Sequence, residues 1–224
     1  MKILIYTPIW KRPEVVRDWL RSLKRLPKHK LLVVLSPEDP NYWDIYHMLP
    51  DSTYYIDHEN TPFGAKKNAG MKAARQIKWD YLMELNSDSI VNPKLFDLYR
   101  PYMSRKVPFF GLNNLYAVDY ATKKSLFVPN YNTDMTFGSG RMLHRDALPP
   151  DDLWTNELNE GMDTNMMKRL KRAGVHETVV DNREPMIVDL KTNVSIWHYK
   201  LLETRGTQVA YEYLTEQIGY DFIT

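Results

Sequence analysis

The chain contains no cysteine. Disulfides and thiolate-held metals are therefore excluded, and an oxidising compartment gains no support. It also lacks any run of about 20 apolar residues, the length that a membrane-spanning helix needs. The apolar stretch inside MKILIYTPIWKRP is too short for a secretory signal and runs straight into charged residues. A cytoplasmic protein is the expectation. A dominant charge of one sign is missing too: 30 Lys and Arg face 28 Asp and Glu, for a formal net charge of +2. The chain as a whole is not an electrostatic glove for nucleic acid. Finally, residues 7–13, after the first predicted strand, contain no glycine. Dinucleotide-binding and P-loop enzymes place glycines there, so both classes are disfavoured.

What is present suits one well-buried α/β core, 224 residues being short for two. Residues 2–9 form a near-continuous apolar run, as in a strand covered on both faces. Residues 14–26 carry Val15, Val16, Trp19, Leu20 and Leu23 at helical spacing. Further strands are expected at 31–35, 53–56 and 81–85, and helices at 42–49 and 64–77. This alternation implies a mostly parallel sheet with right-handed crossovers and flanking helices. Ligands then belong beyond the carboxyl ends of the strands, where the polar segments 7–12, 36–39 and 86–88 fall. Residues 109–120 and 125–131 read as a hairpin around 121–124. Residues 161–173 read as a helix, 186–190 and 193–199 as short strands, and 201–224 as a terminal helix and tail. Residues 1–100 form the first half of one domain and 101–200 the second.

Three segments stand out for chemistry. YLMELNSDSIVNP, residues 81–93, is an apolar strand delivering the polar turn Asn86-Ser87-Asp88, followed by a proline-started helix. A hard divalent cation binds oxygen ligands, which a carboxylate there could supply together with phosphates. Equally, such a turn can simply cap the next helix. PFGAKKNAG, residues 62–70, opens a helix with lysines among its first residues. Helix-start amides favour an anion, but a solvated basic face is the plainer account. Asp163, after Asn159-Glu160-Gly161-Met162, is either a reactive carboxylate or a first-turn acid favoured by the helix dipole.

Taken in order, these segments resemble glycosyltransferase family 2, over roughly residues 3–175. In that family a strand ends in Asp-any-Asp; here Asn86 holds the first position and Asp88 the second. The family's glycine, basic residue and asparagine match Gly64, Lys67 and Asn68. Phe137 to Leu148, with Gly140 and Arg141, is similar to the acceptor-side segment. The family's Glu-Asp helix start matches Met162 and Asp163. The resemblance implies a GT-A, Rossmann-like fold with a β-hairpin insertion in the acceptor half. It implies an inverting transfer in which Asp163 takes the proton from the acceptor hydroxyl. Thr7, Pro8 and Arg12 would lie against the nucleotide, with Glu38 or Asp39 at the base or ribose. Gly64, Lys67, Asn68, Asn86, Ser87 and Lys191 would complete the donor site. Asp88 and His198 would hold Mn²⁺ or Mg²⁺. Gly140, Arg141, Trp154 and Met162 would face the acceptor, with His144 and Arg145 either nearby or on the surface.

Asn86 for aspartate and Met162 for glutamate depart from the family pattern, and Asn86 removes one charge from the metal site. A UDP-sugar is the favoured donor. A sugar nucleotidyltransferase, or a module that binds nucleotide sugars without turnover, are the alternatives. The resemblance leaves the acceptor open between a glycan, a lipid and a hydroxymethylated pyrimidine in viral DNA, the compact pattern being similar to small virus-borne transferases. The basic faces at Arg17, Arg21, Lys24, Arg25 and Lys28 and at 168–172 would suit nucleic acid or an anionic surface, or are merely solvated.

Overall fold

A computed structural model of the chain describes residues 1–129, 135–195 and 199–224. The first half follows the expected alternation: β1 (Ile3–Pro8), α1 (Pro13–Leu23), β2 (Lys30–Leu35), α2 (Tyr42–Met48), β3 (Tyr54–Asp57), α3 (Phe63–Gln76) and β4 (Tyr81–Glu84). Then come β5 (Ser89–Val91), α4 (Lys94–Ser104), β6 (Phe109–Leu112), β7 (Leu115–Asp119), β8 (Ser125–Val128) and β9 (Arg141–His144). The remainder is α5 (Met162–Arg172), β10 (Glu177–Val180), β11 (Ile187–Lys191), α6 (Tyr199–Glu203), β12 (Thr207–Val209) and α7 (Tyr211–Ile218).

The larger sheet has seven strands in the order β10-β6-β9-β4-β1-β2-β3, parallel except for β9. Its central strands bury both faces, and the side chains divide by parity. Ile3, Ile5, Val33 and Met83 point to one face, where Val16, Trp19 and Leu23 of α1 and Leu95 and Phe96 of α4 cover them. Leu4, Tyr6, Val34 and Leu82 point to the other, against Met71 and Ala74 of α3 and Met162, Met166 and Leu170 of α5. The result is a mixed α/β domain with helices on both faces of a mostly parallel sheet.

The second half departs from expectation in ways with physical causes. Residues 109–120 are not one strand. The chain turns at Asn113 and Asn114, so β6 stays in the larger sheet while β7 enters a five-stranded sheet, order β12-β8-β7-β11-β5. Asn114 fixes the crossing by donating its side-chain amide to the carbonyl of Asn182. The β7–β8 hairpin forms as expected. Strand β5 intervenes between the Asn86–Asp88 turn and α4. Residues 193–195 form a turn, the Thr192 amide donating to Ser195 Oγ at 3.0 Å, and Tyr199 begins a helix rather than ending a strand. Residues 196–198, and with them the His198 metal expectation, lie outside the described residues. Residues 201–224 contain β12 and α7 rather than a single helix, and α7 packs on the smaller sheet through Leu214 and Ile218. Among the described residues no helix is long and apolar enough to cross a membrane.

Helix α3 lies close on β1 and β2 because residue 70 has no side chain. A Cβ there would sit 2.4 Å from Tyr6 Cε2 and 2.7 Å from Val34 Cγ2. Gly70→Ala should therefore lower stability despite alanine's better helix propensity, since overpacking costs about 1–3 kcal/mol against a propensity gain of about 1 kcal/mol. Urea unfolding checks this, and an unchanged or raised midpoint would contradict the packing.

Candidate active site

The strands β1, β2 and β4 open at one edge of the sheet, and three linked groups of residues gather there. The first joins the ends of β1, β2 and β3. Asp39 accepts hydrogen bonds from the Lys11 amide and, at 2.9 Å, from the Asn41 amide. The buried Lys66 donates to the Ile9 carbonyl at 2.5 Å, Ser36 Oγ at 2.8 Å and Asn60 Oδ1 at 3.1 Å. Glu38 accepts from the Asn60 amide at 2.6 Å. Above these bonds lies a cavity of about 530 Å³ lined by Trp10, Pro37, Glu38, Glu59, Asn60 and Thr61. Lys11 and Arg12 both have left-handed backbone, φ 58° and 61°, a conformation that costs a non-glycine residue and clusters at functional sites. Thr7 is buried within β1 and Pro8 ends the strand.

The second group surrounds the acidic turn. Asp88 Oδ2 is 2.9 Å from Arg12 Nη1, which also donates to Ser195 Oγ at 3.2 Å. Asp189 is fully buried, accepting from Ser89 Oγ at 2.5 Å and Lys191 Nζ at 2.8 Å. Burial alone would push the Asp88 carboxyl up, but the charges of Arg12 and Lys191 outweigh it and hold Asp88 below the usual range. Burial pushes Asp189 up despite Lys191. Asn86 donates its backbone amide to Ser139 Oγ at 3.0 Å, and Ser87 is buried.

The third group is a chain of charges. Glu84, at the end of β4, takes Lys67 on one oxygen and Arg141 on the other, the latter at 3.0 Å. Arg141 is fully buried and reaches on to Asp163 Oδ1 at 2.5 Å. Asp163 sits in the first turn of α5 with 31% of its side chain exposed. The turn Gly138-Ser139-Gly140 ties this group to the second. A Cβ on Gly138 would lie 2.7 Å from Asp163 Oδ1, and one on Gly140, at φ 84°, 2.0 Å from Ile187 Cδ1. Between those glycines Ser139 bonds both Asn86 N and Ser89 Oγ. At Gly140 the left-handed backbone favours glycine, while at Gly138 a side chain would push on the Asp163 carboxylate.

Several other predicted site residues have partners within the fold. The first amides of α3 do not point into an open site. Those of Phe63, Gly64 and Ala65 donate to Asn159 Oδ1, Leu158 O and Asn156 O at 2.9, 2.7 and 3.1 Å. Gly64 is required because a Cβ would lie 2.1 Å from Thr155 O. Asn68 exchanges hydrogen bonds with both backbone groups of Trp154, and Lys67 lies 4.2 Å from the Trp154 ring centroid. Gly64, Lys67, Asn68 and Trp154 thus build the joint between α3 and residues 154–159. Met162 is buried in the core. His144 pairs in register with Tyr81, at the opposite end of β4 from Glu84, and Arg145 holds the carbonyls of Ile77 and Arg75. The basic faces are partly consumed: Arg21 and Arg25 hold the carbonyls of Asp221 and Ile218, and Arg169 holds Asp152 O and Thr155 Oγ1.

The divalent cation implied by the resemblance would need oxygen ligands around Asp88. Asp88 is already paired with Arg12, Asp189 with Lys191, and Asn86 brings no charge. Among the described residues no three His, Asp or Glu side chains gather where they could hold a metal. Among the described residues, then, Asp88 and Asp189 each already face a cation.

No protein-family model matches the chain, and no curated protein matches it. Among solved structures the fold matches residues 1–349 of the S. aureus glycosyltransferase TarS, with a TM-score of 0.61 at 12% identity. The match covers 85% of this chain and 60% of the TarS chain. At that identity the likeness is one of fold alone, a mixed α/β domain with a mostly parallel central sheet like that of this GT-A-like neighbour.

Two measurements probe the buried charges. Glu84→Gln leaves Lys67 and Arg141 facing a neutral group, and should cost about 3–5 kcal/mol in denaturant unfolding; a change of a few tenths would mean that Glu84 is not their counter-charge. Lys66 titrates at about 7 rather than 10.5, chiefly because it is buried, with Glu38 and Asp39 partly opposing the shift. Between those values the unfolded chain binds more protons, so this residue makes stability climb with pH, by at most about 1.4 kcal/mol per unit. Below about pH 7 its contribution is flat. Unfolding of wild type and Lys66→Met should diverge in favour of wild type from about pH 7 to about pH 9, and parallel profiles would contradict the assignment.

Proposed function

We propose that the protein is an inverting glycosyltransferase that moves a sugar from a nucleoside-diphosphate sugar, a UDP-sugar by preference, to an acceptor hydroxyl. One observation carries this reading. Asp163, a partly exposed carboxylate held from beneath by a buried arginine, is joined through Gly138-Ser139-Gly140 to the Asn86–Asp88 turn at the open edge of a GT-A-type sheet. In this reading the nucleoside occupies the cavity beside Trp10 and Glu38, and its diphosphate runs toward Arg12. The acceptor oxygen attacks the anomeric carbon from the face opposite the leaving group, as an in-line displacement requires. Its proton passes to Asp163. The bond from the anomeric carbon to the diphosphate oxygen breaks, and that oxygen keeps the electron pair. Arg141 keeps the Asp163 carboxylate aimed at the acceptor, and Glu84 keeps Arg141 in place.

A positioned general base is worth about 10²–10⁴ in rate. Asp163→Asn keeps the shape of the side chain and loses the base. Turnover of a UDP-sugar panel by the variant should fall by about that factor, while its affinity for the matching nucleoside diphosphate stays near wild type. Transfer at the wild-type rate would place the base elsewhere.

A further inference from the structure

The acidic turn has the electrostatics of a closed ion-pair cluster rather than of a cation site. Two carboxylates, Asp88 and Asp189, face two cations, Arg12 and Lys191, at 2.9 and 2.8 Å. All four side chains are at most 15% exposed. A divalent ion arriving at Asp88 would have to displace a guanidinium and then sit in the field of the Lys191 ammonium. A diphosphate meets the opposite situation. Guanidinium groups bind phosphate oxygens through paired, charge-assisted hydrogen bonds, and an ammonium adds a compact point charge. Arg12 is placed for such an exchange. It stands on the left-handed turn that leads from β1 into α1, at the strand edge where the Trp10 cavity opens. Ser195 Oγ and Asp88 hold it from one side.

We propose that Arg12 and Lys191 take the role that a divalent cation has in related folds. Resting on the transferase reading above, they neutralise the nucleoside diphosphate as the sugar leaves, and donor binding needs no metal. The electron pair of the breaking bond ends on a phosphate oxygen facing these two cations, while the acceptor proton goes to Asp163. Asp88 is then the resting counter-charge of Arg12, competing with phosphate for the guanidinium and giving up part of that pairing when phosphate arrives.

The test is calorimetry of UDP, GDP, ADP, CDP and dTDP with the full chain, in EDTA and again with Mn²⁺, together with a titration of Mn²⁺ alone followed by electron paramagnetic resonance. The expected result is binding of at least one nucleoside diphosphate with the same affinity in EDTA and in Mn²⁺, and no tight Mn²⁺ site in the free protein. Arg12→Gln should weaken that binding by about ten- to a hundredfold in both conditions, the worth of a charge-assisted hydrogen bond. Asp88→Asn separates the two readings without removing a cation. It should leave affinity unchanged or improve it, because it loosens Arg12, whereas a metal ligand lost at this position would abolish Mn²⁺-dependent binding. Binding seen only with Mn²⁺, and lost in Asp88→Asn, overturns the inference and leaves the transferase reading standing. If none of the five nucleotides binds under either condition, the transferase reading falls and the inference with it.

Discussion

Glu84 arrives at the end of β4 carrying a charge and almost no access to water. Burying such a charge is tolerable only if it is paired and fully hydrogen-bonded. The structure meets that demand from two directions. Lys67 comes from α3, on one face of the sheet, and Arg141 comes from β9, directly across the ladder from Glu84. Once Arg141 is fixed there, its second contact places Asp163, and through it the start of α5. A strand, two helices and the proposed base thus take their relative positions from one carboxylate.

That dependence has a second layer in the turn of residues 138–140. Its two glycines allow the backbone to pass where side chains would collide with Asp163 and Ile187, and the serine between them spends its hydroxyl on the acidic turn. The two acidic groups, more than seventy residues apart in the chain, are held by a three-residue bracket instead of by a contact of their own. Backbone fit at this turn and the Glu84–Arg141–Asp163 charges together set the geometry.

The first half of the fold was legible because its strands are apolar and its helices periodic, so β1 through β4 fall within a residue or two of where pattern alone places them. The second half was not. Strands β5, β10 and β12 have three or four residues each, too few for a period to register, and the change of sheet at Asn113 and Asn114 depends on partners far along the chain. At the site, Asp88 and Asp163 stood out because acids after a strand or at a helix start are visible locally. The joint made by Gly64, Lys67, Asn68 and Trp154 did not, because a lysine that pairs inward and one that waits for phosphate look alike in sequence. Glu84 was missed although a signal existed. It is the one charge in the apolar run YLMEL, and a lone charge within a strand buried on both faces must have a partner. Asp189 and Lys191 in β11 follow the same logic.

Strand β9 wedges between β4 and β6, and this order has a consequence for how the chain is made. Glu84 and Arg141 are 57 residues apart, which a ribosome covers in roughly 3–11 s at about 5–20 residues per second. Throughout that interval β1, β2, β3 and β4 can already pair with one another, and the free edge of β4 then offers Tyr81–Glu84 to any strand that passes. An open, flat, apolar edge is a template for association between chains. Here Glu84 stands on that edge with only Lys67 against it, and a charge at such a position discourages wrong pairing. The carboxylate that later organises the finished site would first serve as a guard on the nascent sheet, released from that duty only when Arg141 is made.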